Sequence, residues 1–215
     1  MGCQQSTSKS LEVDYSKEDW FAFLVRTQNM GANGFKKVKS EPLLNNLNYL
    51  NNDDVLTIRE KQLVRESWTL LSIKLKSLGK QVFLRIFELR PSTKNLFPFK
   101  TVWGDKLIKH PLFLTHSKRF VKVIGCVVDR LDYLQEECAQ PLIELGKKHV
   151  SIEGFLPDYY DVYIRAIISI WKQELKDVYT NELSEAWHKV LVYIVSKLKE
   201  GYETEWKVAT YFNPQ

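Results

Sequence analysis

The sequence predicts an all-α domain behind a long polar extension, and three observations carry that prediction. Apolar residues recur at helical spacing from Thr57 to about Glu205. No segment in that stretch alternates apolar and polar residues as a strand ladder would. Pro91, Pro111 and Pro157 fall where the apolar stripes break, as residues that end or open helices do. A chain of 215 residues with 44% hydrophobic and 27% charged content can close one core over residues 57–205.

The elements follow in order. Thr57 and Glu60 have the spacing of a capping box, and Leu63, Val64, Trp68, Leu71 and Leu75 continue one face of a first helix. A second stripe of Val82, Phe83, Ile86, Phe87 and Leu89 stops at Arg90-Pro91, because proline disfavours helix in the residue before it. A turn through Phe97 and loop-like sequence over 98–110 come next. Pro111 then opens a long stripe of Leu112, Phe113, His116, Phe120, Val123, Ile124, Val127 and Leu131. A short helix over about 141–150 carries Leu142, Leu145 and His149 on one side, until Gly154 and Pro157 interrupt it. Two longer helices, roughly 157–176 and 180–203, end the domain, and 206–215 read as a tail.

Residues 1–56 lack sustained periodicity and carry Asn and Gly clusters, so they read as a largely disordered leader and linker. One apolar run, Trp20-Phe21-Ala22-Phe23-Leu24-Val25, follows Ser16, Glu18 and Asp19 as a short helix start would. The opening Met1-Gly2-Cys3-Gln4-Gln5-Ser6 fits the pattern for N-myristoylation of Gly2. Cys3 beside it suits S-palmitoylation, and two acyl chains give stable anchoring where one alone binds with only about 10⁴ M⁻¹. The cluster Lys36-Lys37-Val38-Lys39 reads as solvated charge that adds modest attraction to anionic lipid.

Bulk properties exclude several function classes. The net charge of +5 is spread along the chain rather than gathered on a basic stripe, so no nucleic acid is expected. No run of 18 apolar residues and no signal-peptide pattern occurs, which points to the cytosolic side. The spacing of Cys3, Cys126 and Cys138 matches no zinc or redox motif; free thiols are the simple reading, and a reversible Cys126–Cys138 bond is the alternative. Phosphate loops and nucleophile elbows are absent.

Candidate chemistry rests on histidine. Of four, His116 and His149 fall on apolar stripes, while His110 precedes a proline in a loop and His188 flanks the last helix beside Trp187. A single imidazole on an apolar face is usually a packed, hydrogen-bonded core residue. Two of them, each one turn from apolar neighbours, suit a flat apolar cofactor with a central metal, and haem iron is bound by neutral imidazole nitrogen.

From Thr57 to about Glu205 the chain resembles a globin. The resemblance rests on Trp68, the stretch Val82-Phe83-Leu84-Arg85-Ile86-Phe87 ending in Arg90-Pro91, Phe97, His116, Leu145 with His149, and Trp187. It implies the globin fold around haem b, with His149 as proximal ligand and His116 on the distal side. By the same analogy Phe97 packs on the porphyrin, Phe83 lies on the distal side, Arg119 pairs with a propionate, and Phe155, Tyr160 and Ile164 line the proximal pocket. Phe120 stands where a smaller aliphatic residue is usual and would narrow the distal side. The interval from His116 to His149 is a few residues longer than in the shortest globins. Leader and acylation motif resemble the membrane-associated globin X type, related to neuroglobin, which implies that His116 itself binds iron; the spacing equally permits a His116 that only hydrogen-bonds a bound ligand.

The function so implied is binding of oxygen or other small gaseous ligands, with electron transfer or oxidative protection at the cytoplasmic face of the plasma membrane and a reductase as partner. Two other classes stand beside it: a haem enzyme reducing nitrite or dioxygenating nitric oxide, and a haem-free, membrane-tethered interaction protein.

Overall fold

The computed structural model describes residues 55–212. Among them there is no strand. Helix α1 spans Ile58–Ser72. Its capping box is complete: the Glu60 amide donates to the Thr57 hydroxyl at 3.2 Å, and the Thr57 amide donates to the Glu60 carboxylate at 2.8 Å. Helix α2 (Leu75–Leu89) ends at Arg90, whose extended backbone leads into a 3-10 turn, Pro91–Leu96. Helix α3 (Gly104–Ile108) is followed by α4 (Pro111–Val128), with Pro111 in the first turn where its missing amide costs nothing. A π-turn, Leu134–Cys138, enters α5 (Ala139–Lys148). A 3-10 turn, His149–Ser151, closes it. Helices α6 (Tyr159–Leu175) and α7 (Asn181–Phe212) finish the described chain.

Two stretches depart from the sequence expectation. The loop read over 98–110 contains α3, whose five residues are too short to display a period. The last helix continues to Phe212 rather than stopping near 203. Regular burial ends at Tyr202, yet residues 203–212 contain neither glycine nor proline, so nothing terminates the helix where its packing stops.

The core is set by tryptophans and by glycines. Trp68, Trp171 and Trp187 meet with ring centroids 5.7–6.3 Å apart, and the Trp187 indole donates to the Ser67 hydroxyl at 3.0 Å, tying the first helix to the last. Gly79 lets α2 lie directly against α4, since a Cβ there would strike the Ser117 carbonyl. Gly146 and Gly201 do the same reciprocally for α5 and α7: added Cβ atoms would strike the carbonyls of Leu198 and Ile143. Cys126 and Cys138 are both free thiols, in keeping with the simple sequence reading, and burial pushes the Cys138 thiol up to about 11.

Candidate functional site

Helix α4 turns His116 toward aromatic rings. The imidazole meets the rings of Phe83 and Phe97 edge-on, with centroids 4.9 and 5.0 Å away, and Phe120 lies 5.1 Å from Phe83. No hydrogen bond to the His116 ring is found among the described residues. Phe97 stacks on Phe99 at 5.0 Å, so the corner after α2 presents its ring from a packed base.

On the opposite wall the end of α5 presents His149. Its Nδ1 lies 2.8 Å from the Leu145 carbonyl. A carbonyl only accepts, so Nδ1 carries the proton and Nε2 is left with a free lone pair. Phe155 and Tyr160 pack around this ring at 4.9 and 5.6 Å. The Tyr160 hydroxyl is buried without a hydrogen-bond partner, which marks an environment built for apolar contact.

Electrostatics keep both imidazoles neutral. Burial first, then the nearby charges of His149 and Arg119, push His116 down to about 3. Burial also lowers His149, against the opposing pull of the Leu145 carbonyl. Both rings are thus in the neutral form that offers a lone pair to a metal.

The walls between them are apolar yet incompletely closed. Phe97, Phe120, Leu145, Tyr163 and Ile164 pack against the core while keeping part of their surface open, as do His116 and His149 themselves. Among the described residues no cluster of three or more His, Cys, Asp or Glu could hold a bare ion. Two neutral imidazoles set among aromatic and aliphatic side chains suit a metal that brings its remaining ligands with it inside a flat macrocycle. The residues present fit that group.

A profile of the globin family matches residues 80–198, more than half of the chain. The chain belongs to the globin family. Neuroglobin-1 of Oncorhynchus mykiss is 32% identical to this globin over 149 residues, covering 68% of it and 92% of that relative. Neuroglobin of Danio rerio is 30% identical over the same lengths and shares. The globin is thus of the neuroglobin type. Among solved structures, a hexacoordinated haem protein from an anhydrobiotic tardigrade superposes with a TM-score of 0.65 at 26% identity, covering 69% of this chain and 96% of that one.

The structure brings the sequence candidates together in two groups. Phe83, Phe97, His116 and Phe120 form the α4 wall, and Leu145, His149, Phe155 and Tyr160 form the α5 wall. Ile164 packs at the edge of the core, and Arg119 is half-buried and near enough to act on His116. The expectations for Gly2, Cys3, the run at 20–25 and the lysines at 36–39 lie outside the described residues.

Three features escaped the sequence reading. Tyr163 contacts Phe120 at 6.2 Å and Tyr160 at 5.9 Å, bridging the two walls; its signal was its position one turn after Tyr160. His110, which the sequence places before a proline in a loop, has a buried Nδ1 without a partner and a ring 5.6 Å from Phe99. Lys94 is only 2% exposed: its ammonium donates to the carbonyls of Lys100 and Val102 at 3.0 and 2.5 Å and sits over the face of Trp103. A lone lysine gives no sequence sign of such a role.

Proposed function

We propose that this globin holds haem b between His149 and His116 and binds oxygen or another small gaseous ligand in competition with His116. The observation that carries this reading is the pair of neutral imidazoles linked through the rings of Phe83, Phe120, Tyr163 and Tyr160, one with its tautomer fixed by the Leu145 carbonyl. When bound, haem supplies an iron centre that takes up small ligands and exchanges single electrons. The chain does the rest. His149 holds the proximal side through Nε2, Phe83, Phe97 and Phe120 crowd the distal side, and the apolar walls exclude water. Arg119, part-exposed one turn beyond His116, suits a propionate.

The likeness to neuroglobins and to a hexacoordinated haem protein supports His116 as a second histidine that would hold the iron. The Gly2-Cys3 motif supports attachment to the cytoplasmic face of the plasma membrane. There a tethered redox protein gains proximity to a membrane reductase, whereas a bulk oxygen carrier gains nothing. Optical spectra of the purified ferric and ferrous protein test the haem reading, with six-coordinate spectra in both states as the expected result; a protein purified without haem and unable to take it up refutes it. For the anchor, Gly2→Ala is expected to release the globin from membranes and Cys3→Ser to leave weak association. A wild-type chain recovered wholly in the soluble fraction would remove the anchor.

A further inference from the structure

The corner over 98–110 and the outer side of α4 form one of the most lopsided charge distributions in the chain. Residues 98–122 hold six lysines and arginines against a single acid, Asp105, whereas residues 131–161 hold seven acids against two lysines. Lys100, Lys106, Lys109, Lys118 and Lys122 are all exposed. Apolar side chains open to solvent share this stretch: Trp103 is 65% exposed and Leu114, four residues before Lys118 on the outer side of α4, is 38% exposed.

Two details make this a built surface. The Trp103 ring is fixed in place by the buried Lys94 ammonium, which is itself held by two carbonyls, so an exposed indole is presented rather than left to swing. On α4, Leu114, Lys118 and Lys122 are spaced four residues apart and form one stripe. Lys118 lies two residues from His116, about 200° around the helix, so the stripe is the back of the helix that carries the distal histidine.

An oriented tryptophan and an exposed Leu114 among lysines match the headgroup region of an anionic bilayer, where the indole sits at the interface and each lysine meets negative lipid. We propose that this face lies on an anionic lipid surface, with Trp103 at headgroup depth and Lys106, Lys109 and Lys118 over the lipid charges. The proposal deepens the membrane reading above by naming the docking face, and it is tested without acyl chains so that the two fail separately.

The full-length, haem-loaded and unacylated protein should co-sediment with vesicles of phosphatidylserine and phosphatidylcholine, not with phosphatidylcholine alone, and added salt should weaken that binding. Lys106→Gln/Lys109→Gln/Lys118→Gln should lose on the order of a hundredfold in vesicle affinity, at about 1 kcal/mol per lysine. Trp103→Gln should lose several-fold in a part that salt does not screen. Unchanged circular dichroism and haem content in the variants confirm that folding is intact. Replacing Lys36, Lys37 and Lys39 with Gln should leave most of the affinity. A triple variant that binds like wild type overturns the proposal, as does binding abolished by the leader lysines alone. A wild-type chain that ignores anionic vesicles but is captured by polyglutamate also overturns it, and makes the face a dock for an acidic protein.

Discussion

His116 and His149 are held in different ways. His149 is fixed by a directional bond to the Leu145 carbonyl, and its helix α5 is pressed backbone to backbone on α7 through Gly146 and Gly201. His116 is placed by ring contacts with Phe83 and Phe97, and α4 has one such glycine contact, at Gly79. Ring contacts are worth about 0.5–1.5 kcal/mol each and set position loosely, while a hydrogen bond with a fixed tautomer sets orientation. One wall is fixed by a directional bond and backbone contact, the other by side-chain packing.

The largest expected effect breaks the fixed wall. His149→Ala removes the imidazole whose tautomer the Leu145 carbonyl fixes, and stoichiometric haem retention, read from the absorbance ratio of haem to protein, should be lost. Normal occupancy would mean that His116 alone suffices. Next, Gly146→Ala should destabilise the globin by about 1–3 kcal/mol in urea denaturation, because the new methyl meets backbone that cannot rotate away. Gly79→Ala should cost a similar amount, with the distal helix displaced instead. Equal loss of haem affinity in both variants would erase the distinction between the walls.

His116→Leu sharpens the comparison from the other side. If His116 occupies the ligand site, an incoming molecule finds only the fraction of protein in which that ring has swung away, and the apparent dissociation constant rises by the inverse of that fraction. The variant should be five-coordinate when ferrous and bind carbon monoxide faster by flash photolysis. An unchanged association rate would show that the loose wall does not compete.

A separate test of the same ring concerns acid. Without haem, the folded protein refuses a proton on His116 until about pH 3, whereas an unfolded chain accepts it below about 6.5. The unfolded state therefore holds more protons in that window, and stability falls as pH falls through it. His116→Leu should flatten that dependence by about 1.4 kcal/mol per pH unit, measured by urea unfolding at several pH values.

Much of this was legible in the sequence because helices announce themselves by period. The stripe through Phe113, His116 and Phe120 put His116 on the side of α4 that meets Phe83 and Phe97, and Leu145 with His149 marked a pair one turn apart that the hydrogen bond joins. What stayed hidden depends on partners distant in sequence or on elements without a period. Helix α3 is barely one turn long, and α7 outruns its own packing. Lys94 is buried because carbonyls at Lys100 and Val102 happen to converge on it, a geometry that composition does not encode. The glycines read as ordinary helix residues until the helices they allow to touch were in place.

The reciprocal glycines at 146 and 201 also shape how such a chain can diverge. At each, any side chain larger than hydrogen strikes a main-chain carbonyl, so neither position tolerates drift and neither can be rescued by a change at the other. The wall behind His149 is thereby closed to gradual remodelling. Phe83, Phe97 and Phe120 are side chains meeting side chains, where a loss of volume at one ring can be offset by a gain at its neighbour. Variation that tunes the pocket is channelled to the distal side, so descendants of this fold can diversify what they admit without altering what they hold.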